Sequence, residues 1–161
     1  MSDTANAIAD RDGSYIQWSK KFELGIPVID AQHRHLVALC DRLHRAIMQN
    51  TADSGLKWED SLAAALRECT EYVQTHFRDE ELLMQAAGYA DFAAHKAKHA
   101  AFTLKVIETA KGFNSVSVTA ALQFVKFLYE WVLTHIAHED MLYRKCIMDY
   151  CEQRKGKMSN Q

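Results

Sequence analysis

Four stretches of this chain repeat apolar residues with the period of about 3.6 residues that is typical of an α-helix. They cover about residues 30–50, 56–87, 91–111 and 115–152. The chain has a single proline, and no stretch alternates apolar and polar residues as a strand does. Long amphipathic helices joined by short connections pack antiparallel against their neighbours. The sequence therefore predicts an all-α fold, an antiparallel up-down-up-down four-helix bundle.

Single residues indicate where these helices begin and end. Asp30 and Asp91 are predicted to cap the N-termini of the first and third helices, and Gly88 is predicted to end the second. The remaining predictions concern segments: a flexible leader over residues 1–14, an N-terminal arm over 15–29 that wraps the bundle, a bundle domain over 15–152, and a flexible tail over 153–161.

Composition excludes several classes of partner. The formal net charge is −2 and there is no long basic run, so we expect neither nucleic acid nor a membrane surface as a partner. The first residues lack the apolar core of a signal peptide, and we therefore expect a cytoplasmic protein. The four cysteines form no CxxC pair, so we interpret them as reduced thiols packed like small apolar residues.

Histidines and acids occupy the predicted inward faces of all four helices. His76 and Glu80 are four residues apart, as are His95 and His99, so each pair projects from one side of its helix. His33 and His135 lie on the apolar faces of the other two helices, where they would add further ligands. Burial of such groups is costly unless they are paired or bound to metal. The pattern predicts a metal centre inside the bundle.

Ligand number indicates which metal fits. Zinc usually closes at four ligands, calcium and magnesium prefer oxygen, and imidazole mixed with carboxylate suits iron. Five imidazoles and two carboxylates exceed the capacity of one ion. Two octahedral ions offer about twelve positions, of which these ligands and a bridging oxygen fill about eleven, leaving one open. No Glu has a His three residues later, unlike the ferritin-like di-iron proteins.

The second carboxylate is ambiguous from spacing alone. Glu139 lies four residues after His135 and repeats the spacing of His76 and Glu80. Asp140 lies five residues after His135, about 140° away around an ideal helix.

Several runs of residues together resemble bacterial hemerythrins in order and spacing over about residues 15–150. They are the run IDAQH ending at His33, the run HFRDEE beginning at His76, the Gly88-Tyr89 pair followed by His95-x-x-x-His99, and Trp131-x-x-x-His135-Ile136-x-x-x-Asp140. One departure is Ala90, where many relatives have proline; it lies outside the ligand set.

This resemblance implies how the ligands divide. His95, His99 and His135 would bind one iron, and His33 and His76 the other. Glu80 and Asp140 would bridge both irons together with an oxo or hydroxo group. O2 would bind reversibly at the open position of the second iron, inside an apolar pocket formed by Phe77, Trp131, Val132 and Ile136. Because the resemblance selects Asp140 over Glu139, it also predicts a π-type bulge between His135 and Asp140.

Other functions stay open at this point. The same pair of irons could reduce peroxide or nitric oxide as an enzyme, although we expect a binder that carries, stores or delivers O2. It could also sense O2 or redox state together with a signalling protein as partner. A metal-free structural bundle would leave the buried polar groups unexplained. His35, His44 and His138 fall outside the predicted ligand set.

Overall fold

The computed structural model describes residues 14–49, 57–112 and 117–158. Within these ranges there is no strand, and the predicted all-α four-helix bundle is confirmed. The helices are α1 (Pro27–Met48), α2 (Trp58–Tyr72, a π-helical segment Val73–Phe77, and Arg78–Ala87), α3 (Phe92–Lys111) and α4 (Val118–Trp131, a π-helical segment Val132–Glu139, and Asp140–Met158).

The four helices enclose a continuous apolar core. Helix α1 packs against α2 and α4, and α2 packs against α3. All four helices contribute fully buried side chains, among them Leu36, Leu62, Phe102, Phe124 and Leu128. Removing these side chains from water is the main stabilising term for such a bundle.

The N-terminal arm ends earlier than the sequence predicted. Helix α1 begins at Pro27, because proline is favourable at the first helical position, where its missing N–H costs nothing. The prediction that Asp30 is the N-cap is therefore wrong. The buried Asp30 carboxylate instead accepts hydrogen bonds from the backbone N–H of Leu24 at 2.7 Å and of Gly25 at 2.9 Å. Asp30 fixes the arm to the first turn of α1.

The other predicted helix ends have mixed outcomes. Gly88 ends α2 in the left-handed conformation with φ of 69°, as predicted. Asp91 occupies the predicted N-cap position of α3, but its side chain forms no capping hydrogen bond. Helix α4 continues to Met158 and so extends into the segment from residue 153 that was predicted to be a flexible tail. This segment is rich in Lys, Arg and Gln, which favour helices. The predictions for residues 1–13 and 159–161, and the predicted helix ends at residues 50, 56 and 115, lie outside the described residues. Among the described helices, none is long and apolar enough to cross a membrane.

Candidate metal centre

The seven side chains predicted as metal ligands meet inside the bundle. Helix α1 contributes His33, α2 contributes His76 and Glu80, α3 contributes His95 and His99, and α4 contributes His135 and Asp140. All seven are buried, and none is more than 4% exposed. They form two groups that could each hold a cation, with ligand atoms within 4.8 Å of one another.

The first group consists of Glu80, His95, His99 and His135. The Nε2 atoms of His99 and His135 lie 3.2 Å apart, and the Nε2 of His99 lies 3.0 Å from Oε2 of Glu80. The Nε2 of His95 lies 3.7 Å from the same carboxylate oxygen. Three imidazole nitrogens and one carboxylate oxygen therefore converge on one point.

The second group consists of His33, His76, Glu80 and Asp140, so Glu80 belongs to both groups. Asp140 also faces both, because its two oxygens point in different directions. Its Oδ2 lies 3.3 Å from Nε2 of His33, while its Oδ1 lies 3.1 Å from Nε2 of His135 and 3.3 Å from Nε2 of His95. The two carboxylates thus lie where bridging ligands between two cations belong.

Unpartnered polar atoms test whether a metal fits here. The ligand atoms Nε2 of His33, His76 and His95, Oε2 of Glu80 and both oxygens of Asp140 are buried without a hydrogen-bond partner among the described residues. Buried polar atoms are nearly always paired in native proteins. Two cations would satisfy all these atoms at once, so the residues fit a two-metal centre.

The π-helical segment of α4 decides which acid faces the centre. The predicted π-type irregularity between His135 and Asp140 is confirmed, since the segment Val132–Glu139 is π-helical. The wider turn rotates Asp140 onto the side of the helix that carries His135. Glu139 instead points to helix α3, where it pairs with Lys98. The second π-helical segment, Val73–Phe77, contains His76 and was not predicted.

Hydrogen bonds from outside the ligand set hold three ligands in place. The Nδ1 of His76 contacts Oε1 of Gln32 at 2.9 Å, and the Nδ1 of His99 contacts Oε1 of Glu81 at 3.1 Å. Both contacts leave Nε2 free to face the centre. The Tyr143 hydroxyl donates to Oε1 of Glu80. Partners of this kind orient metal ligands and fix the imidazole tautomer.

The electrostatics keep these ligands in the forms that bind metals. Burial lowers the pKa of His76 to about 3 and also lowers the pKa of His135, so these imidazoles are neutral at pH 7. Burial opposes ionisation of Glu80, but the surrounding histidines hold its pKa well below its ordinary value. Burial and Glu80 likewise oppose ionisation of Asp140, whereas His135 and His33 lower its pKa. Neutral imidazole and ionised carboxylate are the ligating forms.

An aromatic layer covers the centre on the side of the main core; we use this name for Tyr72, Phe77, Phe102 and Trp131. Three of its rings stack on ligand imidazoles: Phe77 on His99 with centroids 3.8 Å apart, Trp131 on His135 at 3.8 Å, and Tyr72 on His76 at 4.4 Å. Phe102 fills the space between them, with its centroid 4.5 Å from that of Trp131.

The predicted O2-pocket residues are placed as follows. Phe77 and Trp131 belong to the aromatic layer, and Val132 and Ile136 are fully buried in the π-helical segment that carries His135. Sequence reasoning missed Tyr72, although the signal was available: Tyr72 precedes His76 by four residues, the same spacing that stacks Trp131 on His135.

The side chains predicted to lie outside the centre do so. His35 is exposed and lies 3.0 Å from Glu68, and His138 is exposed as well. His44 stacks on Tyr15 of the arm with centroids 4.1 Å apart. All four cysteines are free thiols, and two of them, Cys40 and Cys69, are completely buried.

Comparison with known proteins places the chain in a family. Residues 24–146 match the family model described as the hemerythrin HHE cation binding domain. The chain is 32% identical over 127 residues to the bacteriohemerythrin of Methylococcus capsulatus (strain Bath), an alignment that covers 79% of this chain and 92% of that protein. It is 30% identical over 138 residues to the bacteriohemerythrin of Stenotrophomonas maltophilia (strain R551-3), which covers 84% of each.

A solved structure agrees with this result. The crystal structure of wild-type hemerythrin superposes with a TM-score of 0.65 at 29% identity, covering 82% of this chain and 97% of that one. The resemblance found in the sequence is therefore confirmed over most of the chain. With its four-helix bundle and its buried cluster of histidines and carboxylates, this chain belongs to the hemerythrin family.

Proposed function

We propose that this protein binds O2 reversibly at two iron ions, as a carrier, store or donor of O2 rather than as an enzyme. The observation that carries the proposal is the pair of buried groups of candidate ligands, which share Glu80 and contain atoms that form no hydrogen bond with any described residue. Proteins of the hemerythrin family bind O2 at a di-iron centre and are generally carriers, which supports the same function here.

The geometry supports a specific division of ligands. His95, His99 and His135 would hold one ion, His33 and His76 the other, and Glu80 and Asp140 both. The opposed directions of the two Asp140 oxygens favour a bridging role for this residue. Two octahedral ions have about twelve positions; the five histidines, two bridging carboxylates and a bridging oxygen would fill about eleven, so the ion held by only two histidines would keep one position for a small ligand. When bound, the iron pair supplies two electrons that O2 can accept and return.

The protein residues have two tasks in this function. Gln32 and Glu81 contact the Nδ1 atoms of His76 and His99, and the Tyr143 hydroxyl donates a hydrogen bond to Glu80. These contacts keep the metal-binding side chains in their orientation while O2 enters and leaves. The aromatic layer, with Val132 and Ile136, excludes water from one side of the centre. A pocket without water slows the escape of bound O2 in its reduced form into solvent, and therefore favours reversible binding.

We also propose that the protein is cytoplasmic, as expected from the sequence, and that O2 is its principal partner. A protein partner for delivery or signalling stays a prediction.

An optical titration tests the function. The full chain is loaded with ferrous iron without air, exposed to O2, and then purged of O2. We expect a visible absorption band that appears with O2, fades on purging and returns over repeated cycles. Immediate and permanent oxidation without this band would contradict reversible binding.

Two histidine variants provide the matched comparison. His76→Ala removes a proposed ligand and should abolish the band together with part of the iron. His35→Ala removes an exposed imidazole two positions from His33 and should change neither. Equal loss in both variants would show that iron uptake depends on histidine content and not on this cluster.

A further inference from the structure

Two polar atoms in the aromatic layer have no partner. Tyr72 is only 4% exposed, and its hydroxyl forms no hydrogen bond with any described residue. The indole Nε1 of Trp131 is also buried without a hydrogen bond in the described part of the chain. The two groups are neighbours: the Trp131 N–H approaches the Tyr72 hydroxyl closely enough to lower the pKa of the phenol, although burial raises this pKa by more, but the two groups do not meet in the geometry of a hydrogen bond. Helices α2 and α4 thus present two unpaired donors to the same space.

Such donors are unfavourable unless they are used. A buried hydroxyl without a partner destabilises a fold, and the benzene ring of phenylalanine would make the same stacking contact with His76 without this cost. The other buried tyrosine at the centre shows the usual arrangement, since the Tyr143 hydroxyl donates to Glu80. Tyr72 differs from Tyr143 in having no acceptor in the part of the chain that the structure describes.

The position of Tyr72 indicates what the acceptor is. Its ring stacks on the imidazole of His76, whose own ring lies edge-on to that of His33 with centroids 4.7 Å apart. In the proposed function, these two histidines would hold the ion that has an open position. The ring of Tyr72 also contacts that of Phe77, with centroids 5.5 Å apart, so Tyr72 adjoins the pocket that the resemblance implied to be apolar.

We propose that the Tyr72 hydroxyl, together with the Trp131 N–H, donates hydrogen bonds to the small ligand bound on the His33 and His76 side of the centre. The inference rests on the proposed function, because it needs a ligand at that position. A phenol is protonated at neutral pH and is a donor, as is an indole N–H. Such donors stabilise negative charge, so this pocket retains anionic or charge-accepting ligands better than a wholly apolar pocket.

The test uses azide as an anionic probe for the oxidised, iron-loaded full chain. In Tyr72→Phe we expect azide to bind at least about tenfold more weakly, since hydrogen bonds to charged groups are among the stronger ones. O2 should also leave the reduced protein faster. The iron content should stay at the wild-type level, because the phenyl ring keeps its stack on His76.

A second measurement does not depend on bound ligand. Thermal unfolding of the iron-free full chain should show Tyr72→Phe melting at the same temperature as wild type or higher, because the variant removes a buried group without a partner. A lower melting temperature would show that the hydroxyl has a partner within the protein, and would overturn the inference.

Tyr129→Phe is the matched control. Tyr129 is half-buried on α4 and packs against Tyr15 of the arm, with ring centroids 5.1 Å apart. Its loss should leave azide binding unchanged. Wild-type azide affinity in Tyr72→Phe, in a preparation that binds O2 reversibly, would overturn the inference alone. Failure of the wild type to release O2, with the azide effect present, would instead overturn the proposed function.

Discussion

Separate replacement of Asp140 and Glu139 by alanine tests how the π-helical segment of α4 arranges the centre. The two acids are adjacent in sequence and differ by one methylene, but the structure directs them to different places. Asp140 is fully buried between His33 and His135, whereas Glu139 pairs with Lys98 on helix α3. Only Asp140→Ala should affect metal binding.

The structure sets a lower bound on the difference in iron affinity between the two variants. Asp140 directs one oxygen toward each ligand group, so its truncation removes one ligand from each proposed ion. Loss of a residue that only supports a metal ligand lowers metal affinity about 10–100-fold. Loss of a ligand shared by both ions should lower iron affinity by at least the upper end of that range, about 100-fold or about 2.7 kcal/mol. The partly exposed pair of Glu139 and Lys98 contributes about 0–1 kcal/mol to stability, and nothing to iron binding.

The assay is iron content after anaerobic loading and desalting, with circular dichroism to confirm that both variants are helical. We expect wild type and Glu139→Ala to retain two irons per chain and Asp140→Ala to retain fewer than one. The reverse result, with iron lost from Glu139→Ala and kept by Asp140→Ala, would refute the role assigned to the π-helical segment.

Two further predictions concern the scaffold. Asp30→Ala removes two charge-assisted hydrogen bonds that hold the arm at Leu24 and Gly25. It should lower the free energy of unfolding by about 1.5–3 kcal/mol in urea titrations of the full chain. An unchanged unfolding midpoint would contradict the role of Asp30. Burial raises the pKa of the Cys69 thiol to about 12 and also raises the pKa of Cys40. A thiol reagent at pH 8 should therefore label at most the two half-buried cysteines of the native protein, and all four after unfolding. Labelling of Cys40 in the native state would show that α1 opens locally.

The helices and most of the side chains that meet in the candidate metal centre could be predicted from the sequence, because both depend on local periodicity. The spacing of His76 with Glu80, and of His95 with His99, places each pair on one side of its helix whatever the rest of the chain does. The cost of burying such groups without a metal then makes a metal centre the consistent interpretation. The structure brings these residues together, which agrees with that reasoning.

Predictions at helix ends were less accurate because several residue types can fill each position. Asp30 is a favourable N-cap by type, but Pro27 three positions earlier starts the helix, and the carboxylate binds the arm instead. The choice between Asp140 and Glu139 also could not be made from an ideal helix. It required the family resemblance, and the π-helical segment supplied the geometry.

The sequence by itself determined the helical bundle and six of the seven side chains proposed as ligands, all except Asp140, because helical periodicity and the cost of burial act along the chain. The tertiary structure alone decided what surrounds these ligands. Tyr72 looks like an ordinary core residue in the sequence. Only the packing of α2 against α4 shows that its hydroxyl lies beside the Trp131 N–H and has no acceptor among the described residues. Whether a buried polar atom finds a partner depends on residues distant in the chain, so it becomes visible only when the helices are assembled.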